Sequence, residues 1–126
     1  EKQQDEQAVD GSVTFHGMKY SLEKQSDGKT AVVRTSDSGT KSVLFEVEGT
    51  PTSLILFNDT ILVPENRDSG WDVVACALVD GSLPTLIADK DGKAVGGNGT
   101  ITAATLDGTT LKVTDSTGNT TSVALQ

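Results

Sequence analysis

The sequence predicts an all-β protein, an antiparallel meander of sequential hairpins with about ten strands and little or no helix. Three observations predict it. Turn signals such as Asp27-Gly28, Asp37-Ser38-Gly39, Asp107-Gly108 and Thr117-Gly118-Asn119 recur about every ten residues. Asp-Gly and Asn-Gly steps tolerate the positive φ angles that hairpin turns require. Between them the segments alternate apolar and polar residues, the period of a half-buried strand. Finally, Leu, Ile and Val dominate the apolar residues while aromatics are only 4% of the 126 residues, as in turn-rich β proteins with small aliphatic cores.

The elements follow in order. Residues 1–10, EKQQDEQAVD, are charged, glutamine-rich and almost without large apolar side chains, so they read as a disordered polar lead. A single domain is expected over residues 11–126. Residues 18–25 end in a Ser-Asp-Gly turn and read as a strand with a mixed face. In residues 41–48, Val43, Phe45 and Val47 alternate with Ser42, Leu44 and Glu46, giving one apolar face. Residues 54–57 and 73–79 are apolar on both faces and are expected at the centre of a sheet, covered on both sides. Pro84 marks an edge strand beside the second of them. Leu111 and Val113, then Val123 and Leu125, complete two further alternating strands.

Overlaying the segments shows an internal repeat. Thr30-AVVRTSDSG-TKSVLFEVEG matches Thr60-ILVPENRDSG-WDVVACALVDG, and Thr110-LKVTDSTGN-TTSVALQ is a shorter third copy. In each, a strand opening at Thr runs into an Asp-Ser turn and returns as a second apolar strand. Repeat-like units are expected near 21–52, 53–89 and 99–126. The stretch NRDSGWDVVACALVDGSLPTLI resembles the bacterial β-propeller repeat of TolB-like periplasmic proteins, best over residues 53–89. That resemblance implies a four-stranded blade with Leu54 to Phe57 as its inner strand. The repeat's usual Ser-Pro-Asp-Gly entry is replaced by Phe57-Asn58-Asp59-Thr60. Blades need about 40 residues and rings at least four of them, so the chain falls short of a closed propeller. A sandwich, a barrel, a trefoil and a partial propeller all stay open.

Candidate chemistry is sparse. His16, the only histidine, sits between Phe15 and the turn residue Gly17 and reads as a surface or strand-end side chain. Cys76, the only cysteine, lies among Val74, Ala75, Ala77 and Leu78 and reads as a buried small hydrophobe. Asp89-Lys90-Asp91-Gly92 looks like half a calcium loop, but in EF-hand register the terminal ligand positions fall on Ile87 and Asn98. A hairpin turn is the expectation, with no metal site. Glu46, Glu65 and Asp72 are candidates for a carboxylate pair, which glycoside chemistry would need across a cleft. Gly96-Gly97-Asn98-Gly99 reads as a flexible loop, since neither a Lys nor a helix follows for a phosphate cradle. Trp71 is the one tentative binding residue: its parity with Val73 and Ala75 points to core packing, and an exposed sugar or partner platform is the alternative.

Eighteen acidic against ten basic residues give a net charge of −8, which disfavours nucleic acid and anionic membranes as partners. No apolar stretch approaches the ~20 residues of a membrane-spanning helix. The chain starts at Glu1 rather than Met, and its polar lead suits an exported or lipid-anchored domain whose signal segment has been removed. The expectation is a non-catalytic extracytoplasmic domain of a bacterial envelope or secreted protein, without cofactor, active in binding or assembly with a protein or glycan. The alternatives are a glycan-binding or glycan-processing module using Trp71, and an oligomeric piece completing a propeller or extended sheet through its edge strands.

Overall fold

The computed structural model describes residues 6–7, 12–68, 70–78, 82–88 and 91–125. Strands β1 (Glu6–Gln7), β2 (Val13–Phe15), β3 (Met18–Lys24), β4 (Thr30–Thr35) and β5 (Lys41–Val47) pair in sequence order as the first sheet. The second sheet holds β6 (Thr50–Pro51), β7 (Ile55–Phe57), β8 (Thr60–Arg67), β9 (Gly70–Ala77), β10 (Thr85–Leu86) and β11 (Gly96–Gly97). The third is β12 (Ile101–Asp107), β13 (Thr110–Asp115) and β14 (Thr120–Ala124). Every ladder is antiparallel, and the described residues contain no helix. The all-β meander of sequential hairpins is therefore the observed class. Its three sheets are open and stacked face to face, with no closed barrel among them.

The repeat sets the stacking. Thr30, Thr60 and Thr110 each open the middle strand of a three-strand meander: β3–β4–β5, β7–β8–β9 and β12–β13–β14. Strand side chains alternate between faces, so position relative to that Thr decides which neighbour a residue meets. Ile61 and Val63, one and three residues on, enter a core with Val13, Tyr20, Val32, Phe45 and Val47 of the first sheet. Leu111 and Val113, at the same positions, enter a second core with Ile55, Leu62, Trp71 and Val73 of the second sheet. Each sheet thus turns the same face toward its predecessor. Ala31 and Val33 occupy these positions in the first sheet, are 0% and 3% exposed, and belong to neither core. Across that outer face Lys41 Nζ and Glu23 Oε2 form a 3.0 Å ion pair that spans β4. Glu23 lies opposite Ala31 and Lys41 opposite Thr35, so the pair passes above Val33.

Strand β9 is central, flanked by β8 on one side and by β10 and β11 on the other, and it feeds Cys76 to one core and Val73 to the other. The expectation for residues 54–57 needs correction: both faces are covered, yet β7 pairs only with β8 and forms the sheet's edge. Strands β6 and β7 are two halves of one broken strand along β8. Pro51 pairs with Glu65 and Ile55 with Leu62, so one extra residue is inserted between the halves. Pro64 explains the break. Its carbonyl accepts the Thr52 N–H (2.9 Å), but it has no N–H to return.

Turn geometry also differs from expectation. Ser26-Asp27-Gly28, Asp37-Ser38-Gly39 and Ser116-Thr117-Gly118 are three-residue loops in which only the glycine has positive φ (86°, 88° and 90°). They are turn-plus-bulge hairpins rather than the two-residue type expected for Asp-Gly. His16-Gly17 is the two-residue turn with both φ values positive, at 51° and 80°. Residues 96–97 form β11 on β9 rather than a flexible loop. Asp10-Gly11, Asp80-Gly81 and Asp89-Lys90 lie outside the described residues; Gly92 adopts a turn with φ 83°.

Candidate functional site

The groups that could carry chemistry gather at two places, and the repeat explains the buried acids at the first. The fifth residue after the opening Thr is Glu65 in β8 and Asp115 in β13, and each faces the preceding sheet. Each accepts a hydrogen bond from it. Glu65, 0% exposed, takes the N–H of Gly49 on Oε1 at 2.8 Å, just past the last strand of the first sheet. Asp115 takes the Trp71 indole N–H on Oδ2 at 3.4 Å. Asp115 is further held by the Thr117 hydroxyl and by the N–H groups of Thr117 and Asn119. The Thr117 hydroxyl first, then these backbone donors and the indole, hold its carboxyl below the usual range against the opposing effect of burial.

At the first place the sequence candidates Glu65 and Asp72 meet, because β8 and β9 put them directly opposite each other. Arg67 lies on the same face of β8, with Nη1 3.2 Å from Glu65 Oε2 and 3.7 Å from Asp72 Oδ2. One guanidinium thus serves two carboxyl groups. Asp72 Oδ1 is buried with no hydrogen-bond partner among the described residues. Burial first, and Glu65 second, push the Asp72 carboxyl up to about 7, against the pull of Arg67. A protonated Asp72 supplies the donor that two facing carboxylates lack. Arg67 is raised above its ordinary value by the hydrogen bond to Glu65. The third candidate, Glu46, is exposed on β5 opposite Ala31 and takes no part.

Gly49 is the fixed point of this cluster. A Cβ there would lie 2.4 Å from the Asn66 carbonyl oxygen and 2.9 Å from Arg67 Cδ. Only a glycine lets the turn between β5 and β6 press this closely on β8. From Gly49 the chain runs through Thr50 and Pro51 to Thr52 and Ser53, which form the second place. There a groove lies between β3 of the first sheet and the edge strands β7 and β12 of the other two. Three adjoining cavities of about 430, 320 and 250 Å³ share Ser53 as a wall. Leu54, Leu56, Ala104 and Leu106 line one of them, Ser12, Lys19, Ser21 and Glu23 another, and Thr102 and Ala103 the third. Sequence reading missed this groove. The broken strand that creates it was visible only as Pro64, and nothing in the sequence said which edges would meet.

The remaining candidates are dispersed. Trp71 is 3% exposed, packed in the second core with its indole against Gly97, where a Cβ would fall 2.8 Å from Nε1. Its ring offers no open face, so an exposed platform at Trp71 is replaced by an anchor between the second and third sheets. Cys76 is 3% exposed in the first core, and burial raises its thiol above the ordinary value. His16 is exposed at the β2–β3 turn, its ring stacked on Phe15 with centroids 3.9 Å apart. The described residues hold no group of three or more His, Cys, Asp or Glu side chains placed to share a metal ion. Comparison with family models, with curated proteins and with solved structures finds no match to this chain.

Proposed function

We propose that this chain is a non-catalytic binding domain of a bacterial envelope or secreted protein, receiving an extended peptide segment in the groove at Thr52–Ser53. One observation carries the reading: the groove runs along the free edge of β12, whose other edge pairs with β13. Among the described residues no strand pairs with that edge; the Ile101 N–H is held by Asn66 Oδ1 at 2.7 Å, and the backbone groups over residues 102–106 are what an added strand pairs with. No Lys or Pro guards this edge, and the half-buried Leu56 and Leu106 supply apolar contacts beside it. The extracytoplasmic setting rests on the polar lead and on the TolB-like repeat. The test is capture from an immobilised library of twelve-residue peptides, with Ser53→Trp to fill the shared wall. Peptides bound by the native chain and lost in Ser53→Trp support the reading. Binding indifferent to that substitution, or binding only to envelope polysaccharides, sinks it.

A second reading, an oligomeric piece completing a larger array, has its own support in the stacking. On the outer face of the first sheet Ala31 and Val33, at the positions that a preceding sheet covers in the other two repeats, are already shielded from solvent, so the open apolar surface there is Val43. Val43, paired with Val33, stands 52% exposed beside them. Sedimentation at 5 to 200 µM, roughly the range where weak interfaces form, tests this. A concentration-dependent dimer that Val43→Glu abolishes supports it, and a strict monomer counts against it.

A further inference from the structure

We propose that Glu65 and Asp72 form a proton-controlled clamp on the Gly49 turn, and that loss of the shared proton loosens the wall of the Thr52–Ser53 groove. This rests on the groove reading for its functional meaning, but its structural content stands alone. Glu65 is fully buried and is the acceptor that holds the Gly49 N–H. Its cross-strand partner Asp72 has one buried oxygen without a donor among the described residues. The cation that both groups share is Arg67, at 3.2 and 3.7 Å.

The charged groups facing the pair, among the described residues, are few. On β8 it is Arg67; from the turn after β5 it is Glu48, whose charge acts on Arg67; β9 contributes Asp72 itself. With Asp72 protonated, two carboxylates, Glu65 and the more distant Glu48, act on one guanidinium, and Asp72 offers a donor toward Glu65. When that proton leaves, three carboxylates, Glu48, Glu65 and Asp72, face one guanidinium that is itself 42% exposed. Like charges held this close in a partly dry site repel, and the adaptable part is the chain rather than the β8–β9 ladder. Gly49 is where the strain goes: its N–H is held by Glu65 Oε1 at 2.8 Å, so a shift of that carboxylate acts on the turn. Thr50 and Pro51 pair with Asn66 and Glu65, so movement there passes directly to Thr52 and Ser53. Burial and Glu65 already place the Asp72 titration near neutral pH, at about 7.

The experiment is a backbone and side-chain NMR titration of the intact chain between pH 5 and 9, with no ligand added. The Asp72 side-chain carbon is expected to titrate near 7, and the Gly49, Thr52 and Ser53 amides to shift and lose exchange protection with the same midpoint. In Asp72→Asn those amides are expected to stay flat across the range. Wild-type amides that hold still while Asp72 titrates overturn the clamp, as does an Asp72 midpoint below about 5, the ordinary carboxylate range. Because the readout needs no peptide, failure of the clamp and failure of the groove as a binding site are told apart.

Discussion

At the scale of single residues, three positions hold this protein's geometry. Gly49 is required by contact: Gly49→Ala places a methyl 2.4 Å from a backbone oxygen. The expected loss is about 1–3 kcal/mol, the range for overpacked sites, read by denaturant unfolding. Trp71 is expected to show little iodide quenching of its fluorescence, because the ring is 3% exposed. Trp71→Phe removes the indole donor to Asp115 and leaves a gap against Gly97, at a cost of about 1–3 kcal/mol. Sequence parity already pointed Trp71 into the core, because Val73 and Ala75 share its face. Asp72 was visible only as one of three candidate acids. What makes it different is its register opposite Glu65, and register is a property of two strands that composition does not encode.

At the scale of elements, β8 joins the two cores through opposite faces of one strand. Ile61 and Leu62 are adjacent in sequence yet fill different interfaces. Ile61→Ala and Leu62→Ala should each cost about 2–5 kcal/mol. Their effects should add in the double variant, since the side chains share no partners. An interaction term above ~1 kcal/mol between them would show that the interfaces are not separate. The strands themselves were legible: Thr30, Thr60 and Thr110 open β4, β8 and β13 as the repeat implied. The place of residues 54–57 was not. An apolar run covered on both faces reads the same at a sheet's centre and at an edge that another sheet covers, and only Pro64 hinted that pairing would fail there. Turn type was likewise half visible. Asp27-Gly28 announces a hairpin, but whether the loop has two or three residues depends on which residues pair across it.

At the scale of the whole molecule, the acids set opposing pH limits. The folded value of Asp72 lies above its unfolded value near 3.8, so the folded chain binds more protons and stability falls as pH rises from there through about 7. The drop is on the order of 2 kcal/mol, from ~1.4 kcal/mol for each pH unit between the two values, reduced because the group is partly exposed. Asp27 and Asp115 act in the opposite sense. The Lys29 N–H first lowers Asp27 and the Thr117 hydroxyl first lowers Asp115, so their contributions are lost as pH falls below the same 3.8 reference. Melting temperature should therefore be highest near about pH 4 and decline as pH rises toward about 7. In Asp72→Asn the decline between about pH 4 and 7 should disappear, and its persistence would assign it to other groups.

The two cores have one more consequence. The single cysteine of the chain is buried between the first and second sheets, and the single tryptophan between the second and third. Each junction therefore carries its own native reporter. Thiol labelling under native conditions times the opening of one, and indole emission follows the other. If the stack behaves as a linear array of coupled units, the two signals need not move together, and their separation under mild denaturant measures how strongly one sheet feels the loss of its neighbour.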